Sequence, residues 1–268
     1  MSKSQEIRKL LEDNRNILLN GEENNGICFD GIVNEAEYSN IVVLLKETNG
    51  CDANGNMPEK FDDWDYCKWL KDQQADNKPE KKIGKNGKEY IEENVFYHST
   101  FRKLCHWLCL LFDSLENEKS APENFSKNGQ VDIDKVRKVL NRVAVVNLKK
   151  SWGDKQTDTK SLEAYLSNPA IKDVLTEQMK ILNPKIVLCC SPDVYWLATL
   201  VYAKDSSFTY RQSSESINGK NVEFVHTGGT IYINFYHPQY YGKTDEQFTA
   251  YAVEVFEHLK KYIENNNL

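Results

Sequence analysis

The chain has 268 residues, enough for a sizeable core in one large domain or two small ones. Charged residues make up 28 % and the hydrophobic set 40 %, and no apolar run approaches membrane-spanning length, so the composition is that of an ordinary globular protein with no membrane partner expected. A net charge of −6 does not advertise a nucleic-acid binder and does not exclude one, because local fields outweigh the sum. Seven cysteines, two of them adjacent at Cys189-Cys190 in an apolar run, fit reduced thiols, and the N-terminus lacks a signal-peptide core. The expected location is the cytoplasm. With no C-x-x-C pair, neither a zinc nor an iron–sulfur site is expected.

Residues 4–19 read as an amphipathic helix, followed by a polar break at 20–26. Ile41-Val42-Val43-Leu44-Leu45 is a continuous apolar run that suits a strand buried on both faces. Residues 51–95 read as an irregular insertion carrying an aromatic cluster (Phe61, Trp64, Tyr66, Trp69) and a lysine-rich stretch from Lys68 to Lys88. A strong helix is expected over 96–115, with Phe101, Leu104, Cys105, Leu108, Leu111 and Phe112 on one face. A polar linker at 116–130 and a short helix at 132–140 lead to a second strand, Val143 to Leu148. The loop Lys149-Lys150-Ser151-Trp152-Gly153-Asp154 precedes helices over 161–182.

Ile186-Val187-Leu188-Cys189-Cys190 is a third buried strand, and Ser191-Pro192-Asp193 a helix start: serine as cap, proline in the first turn, aspartate on the positive dipole end. A polar excursion at 203–228 precedes a fourth strand, in which Ile231, Ile233 and Phe235 alternate with Tyr232, Asn234 and Tyr236. Pro238 cannot join a ladder, so this strand delivers the imidazole of His237 at its carboxyl end, where open α/β sheets bind ligands. The final helix spans about 245–263. Strands alternating with helices predict a single α/β domain over 1–268, a three-layer αβα sandwich around a mostly parallel four-stranded sheet.

The four strand ends carry Lys46-Glu47-Thr48-Asn49-Gly50, Val145-Val146-Asn147, Cys190-Ser191 and Tyr236-His237-Pro238. In that order, over roughly residues 38–260, they resemble the uracil-DNA glycosylase superfamily. Its strands end in a short G-Q-D-P-Y- or G-x-N-P-G-like motif, in asparagine, in Gly-Ser and in His-Pro-Ser. The resemblance implies a uracil-DNA glycosylase-like fold and a DNA glycosylase that flips a base out of the stack and hydrolyses its N-glycosidic bond, with no cofactor and no metal, acting on DNA as a monomer. Asn147 then reads the Watson–Crick edge. By flipping its amide it suits uracil or cytosine. His237 hydrogen-bonds the pyrimidine O2 as charge develops there. Glu47 with Thr48 positions the attacking water, with Asn49 as the alternative. Ser191 and its helix N-terminus grip a phosphate. Tyr240 or Tyr241 is the wedge, Phe61 or Trp64 the base stacker, and Lys149, Lys150 and Lys243 are further DNA contacts.

The chain departs from the family pattern at the first motif, where Lys46, Thr48 and Asn49 replace glycine, Asp or Asn, and proline. Gly50 stands where the uracil-strict branch blocks the C5 edge with tyrosine, which leaves room for a larger base. One alternative is therefore an antiphage glycosylase excising hypermodified, for example glucosylated hydroxymethyl, cytosine; another is a non-catalytic DNA- or nucleotide-binding module. Ordinary structural roles compete at each position: a salt bridge of Glu47 with Lys149 or Lys150, packing for the 61–69 aromatics, and core burial for Cys105 and Cys109.

Overall fold

The computed structural model describes residues 1–22, 25–47, 62–75, 80–83, 89–92, 99–117, 138–152, 158–203, 210–238 and 242–268. In chain order its elements are α1 (Lys3–Asp13), α2 (Arg15–Leu19), β1 (Cys28–Phe29), β2 (Gly31–Ile32), β3 (Ile41–Leu45), β4 (Trp64–Asp65), α3 (Tyr66–Ala75), β5 (Glu80–Ile83), β6 (Glu89–Glu92) and α4 (Ser99–Glu116). They continue with β7 (Val143–Asn147), α5 (Thr159–Leu166), α6 (Pro169–Leu182), β8 (Ile186–Cys190), α7 (Pro192–Tyr202), β9 (Tyr210–Ser213), β10 (Asn221–Thr227), β11 (Thr230–Phe235) and α8 (Asp245–Asn266).

The fold is α/β, with one mixed sheet in the order β2-β7-β3-β8-β11-β10-β9. The expected four-stranded sheet is therefore corrected to seven strands. Its inner neighbours β7, β3, β8 and β11 are parallel, whereas β2 pairs antiparallel with β7 and β10 antiparallel with β11. The added strands are short or polar, so they lack the continuous apolar run by which buried parallel strands announce themselves. Every residue of β7 and β8 is buried.

The chain clusters into two compact units, the first comprising residues 1–68, 141–210 and 223–236, the second 69–140, 211–222 and 237–268. In the first, Val42, Leu44, Val146 and Val187 share a core with Ile7 and Leu11 of α1 and with Leu175 and Leu182 of α6. The helix expected over 4–19 is broken at Asn14, whose φ is −109° and whose side chain donates to the Leu10 carbonyl at 2.9 Å. Competition of this kind from an asparagine side chain ends helices. Asn168 and Pro169 divide α5 from α6, the asparagine side chain accepting from the Ala170 amide as cap and proline standing in the first turn.

Strand β1 pairs in parallel with β4, Cys28 opposite Trp64. Gly26 makes that approach possible: a Cβ there would lie 2.2 Å from the Asp62 carbonyl oxygen. In the second unit α4 packs on α8, with Trp107 and Phe248 ring centroids 5.9 Å apart and the Ser114 hydroxyl donating to the Phe256 carbonyl at 3.0 Å. Cys105 and Cys109 are buried on α4, as a core role requires. Burial pushes the Cys105 thiol well up, so it stays protonated and inert. Inside the segment expected to be an irregular insertion lie α3 and the antiparallel pair β5–β6. Among the described residues no helix is long and apolar enough to cross a membrane.

Candidate active site

Parallel registration levels the carboxyl ends of the inner strands. Leu45 lies beside Asn147, Leu44 beside Cys189, and Phe235 beside Cys190. The β3–β7 ladder runs on past both strands, with the Leu148 amide donating to the Leu45 carbonyl at 3.0 Å and the Lys149 amide to the Lys46 carbonyl at 2.9 Å. Glu47, Asn147 and Ser191 thus issue from one edge of the first unit. His237 follows β11 by two residues and is half-buried; it belongs to the second unit.

Asn147 is fully buried, and one carboxylate controls it. Its backbone amide donates to Asp30 Oδ2 at 2.7 Å and its Nδ2 to the same oxygen at 3.2 Å, while Nδ2 also faces Cys28 Sγ at 3.8 Å. The other Asp30 oxygen accepts from Lys150 Nζ at 2.6 Å and from Gln178 Nε2 at 2.9 Å. Lys150 and Asp30 have no exposed side-chain surface, so this is a fully desolvated ion pair within a satisfied carboxylate shell. The Tyr165 hydroxyl ties the cluster to α2's end, accepting from the Lys150 amide at 3.3 Å and donating to the Leu18 carbonyl at 3.0 Å. On the far side of the amide Asn147 Oδ1 has no hydrogen-bond partner among the described residues. A buried carbonyl of that kind is a feature a ligand can complete.

The lysines divide. Lys150 is sealed against Asp30, so its expected role on DNA is corrected: a buried, paired ammonium is no surface contact. Lys149 is also buried, its Nζ 3.1 Å from Glu22 and 3.7 Å from Glu47, whose side chain is only 5 % exposed. Glu47 therefore takes part in an ion pair at the strand end. Lys243 is half-exposed just before Thr244, the cap of α8.

Ser191 caps its own helix. Its hydroxyl accepts from the Val194 amide at 3.1 Å, and its backbone lies at φ 153°, ψ 157°, a region that favours glycine. The strain sits at the turn from β8 into α7, where a backbone outlier marks a candidate functional position. Two residues on, Asp193 accepts from Lys46 Nζ at 2.8 Å and from the Thr159 hydroxyl at 3.0 Å. The Lys46 hydrogen bond, aided by Thr159, holds the Asp193 carboxyl below its ordinary range.

Trp64, one expected base stacker, stacks on Trp152 at 5.1 Å and meets Tyr66 edge-on at 4.9 Å. One of its faces is thus already covered by an indole. Its strand partner Cys28 is the residue that faces Asn147, so the aromatic group adjoins the amide network. Burial pushes the Tyr66 phenol well up, with the neighbouring Cys28 thiol adding to it. Thr48, Asn49, Gly50, Phe61, Tyr240 and Tyr241 lie outside the described residues. Among the described residues no cluster of three His, Cys, Asp or Glu could hold a metal.

The sequence reading missed Asp30, Gln178, Cys28 and Tyr165. Asp30 carried a signal, as the single charge inside the apolar run Ile27 to Val33. A charge in such a run is either an error of strand assignment or a buried, paired group. Comparison with protein-family models, with curated proteins and with solved structures finds no match to this chain.

Proposed function

We propose that the protein is a DNA glycosylase of the uracil-DNA glycosylase type, a three-layer αβα protein that hydrolyses the N-glycosidic bond of a flipped pyrimidine and leaves an abasic site. The observation that carries this reading is the buried Oδ1 of Asn147, without a partner among the described residues, at the carboxyl end of a parallel strand whose neighbours end level with it. A base edge is a natural complement to such an acceptor. The resemblance of the strand-end motifs gives Asn147 the base contact, His237 the charge on O2 and Glu47, paired with Lys149, the water that attacks the sugar carbon. Since Asn147 is fully covered, admitting a base requires what lies over Oδ1 to move aside.

A second reading is a binding module without turnover, favoured by the buried ion pair of Glu47 with Lys149, which occupies the residue expected to activate water. One assay separates the two. Duplex and single-stranded DNAs carrying uracil, thymine mismatch, hydroxymethylcytosine or glucosylated hydroxymethylcytosine are incubated with the protein and its His237→Ala and Glu47→Gln variants, then cleaved with alkali. Abasic sites on one substrate that vanish in both variants, with DNA affinity retained, establish the glycosylase and name the base. Intact DNA throughout, with equal affinity for all three proteins, establishes the binding module.

A further inference from the structure

We infer that Asp30 is a specificity-determining positioning residue: it locks the Asn147 amide in one orientation, so that the site admits only one of the two pyrimidine donor–acceptor patterns. The inference rests on the reading of this edge as a base-excising site and sharpens it.

An ionised carboxylate only accepts. Asp30 Oδ2 lies 3.2 Å from the Asn147 side-chain nitrogen and also takes that residue's backbone amide at 2.7 Å. Turning the amide over would set Oδ1 against Oδ2, two acceptors facing each other with no hydrogen between them. Nor can Asp30 turn away. Its other oxygen is held by Lys150 at 2.6 Å and Gln178 at 2.9 Å, and Gln178 Nε2 reaches the Asp30 backbone carbonyl as well, at 3.4 Å. The amide is thus aimed by a neighbour anchored on three sides, and among the described residues Oδ1 has no hydrogen-bond partner, which leaves it to the ligand. Of the two Nδ2 hydrogens one serves Asp30; the other points at Cys28 Sγ at 3.8 Å, a weak acceptor that a ligand oxygen can replace.

Uracil and cytosine have the same shape and opposite patterns: at ring positions 3 and 4 uracil offers donor then acceptor, cytosine acceptor then donor. A freely turning asparagine serves both. With the base in one pose, a locked one serves only the member whose N–H, N3–H in uracil or N4–H in cytosine, lies opposite Oδ1. The mismatched member leaves a buried acceptor facing an acceptor, a cost that corresponds to about ten- to a hundredfold in binding.

The test uses oligonucleotides whose central nucleotide bears 2′-fluorine to prevent cleavage, with uracil or cytosine, and thymine or 5-methylcytosine, as the base. Wild-type protein should bind one member of each pair about ten- to a hundredfold more tightly. Asp30→Asn combined with Lys150→Met replaces the ion pair by an amide that can turn together with Asn147, and the preference should fall to within about threefold while affinity for the preferred base drops little. Asp30→Glu keeps the charges, displaces the carboxylate by one methylene and should erode the preference in the same direction, so the question stays answerable if the double variant does not fold. Wild-type binding of both members within threefold, or a preference untouched in the folded variants, overturns the lock while leaving the glycosylase reading intact. Failure of every base-bearing oligonucleotide to compete with undamaged DNA overturns both.

Discussion

Breaking the Asp30–Lys150 pair should be the costliest single change in the first unit. In Lys150→Met the carboxylate loses the one cation facing it among the described residues, at 2.6 Å, and keeps three neutral donors: Gln178 Nε2 and the two Asn147 nitrogens. Stranding a buried charge costs about 3–5 kcal/mol, and the remaining donors place this variant near the lower figure. Asp30→Asn strands an ammonium for which the described residues offer no other acceptor, and belongs near the upper one. The double variant removes both charges together, so it should recover at least about 3 kcal/mol of the summed loss. Urea unfolding followed by circular dichroism measures this. With a slope of about 2 kcal/mol per molar, Lys150→Met should move the midpoint down by about 1.5 M. A loss below about 1 kcal/mol for either single change, or additivity in the double, would refute a desolvated ion pair at this place.

Three further outcomes follow from separate features. Burial, only partly opposed by the Asp245 and Asp113 charges, pushes His106 down to about 4, so the folded protein holds it neutral. Because that lies below the unfolded value of about 6.5, its contribution is complete above pH 6.5 and is lost as pH falls toward 4, by up to about 3 kcal/mol. The stability–pH curve of His106→Gln should be flatter over that interval, and a curve parallel to wild type would contradict the burial argument. At Ser191 two effects separate: Ser191→Ala keeps the strained backbone and loses the cap, costing about 1 kcal/mol, whereas in Ser191→Gly relief of strain offsets the lost cap and thermal unfolding stays near wild type. Equal losses in both would mean the backbone is not strained. Gly26→Ala sets a Cβ 2.2 Å from the Asp62 oxygen and must part β1 from β4, costing about 2 kcal/mol; a neutral result in chemical denaturation would deny the close approach.

The parts of the fold legible in the sequence are those whose burial is two-sided. Strands β3 and β8 match their apolar runs residue for residue, and β7 ends one residue sooner than expected. The Ser191-Pro192 helix start is where capping chemistry puts it. Strand β10 was hidden in a stretch read as polar, although Gly228-Gly229 between Thr227 and Thr230 is a hairpin signal in its own right. Within the site, the strand-end positions of Glu47, Asn147 and Ser191 were legible because each follows an apolar run. Their partners were not. That Asn147 is held by Asp30 involves residues 117 positions apart, and Lys150 looked like a surface cation because two lysines in a loop ordinarily are. The pairing of Glu47 with Lys149 is legible as an ordinary salt bridge, and the geometry adds that the pair is buried.

The level ending of the inner strands has a consequence for how this protein can change. Side chains alternate faces along a strand, so removing one residue from β3, β7, β8 or β11 shifts its terminal group by about 3.3 Å and turns every later side chain to the opposite face. In β7 such a deletion would take Asn147 away from Asp30 and from its place beside Leu45. Substitutions inside these strands meet only the ordinary limits of packing, whereas insertions and deletions are confined to the connecting segments. The lengths of the four inner strands are therefore as much a specification of this edge as the residues at their ends, and a shuffled or circularly permuted version of the chain should keep the Asn147–Asp30–Lys150 network only if the strands that carry it are transferred intact.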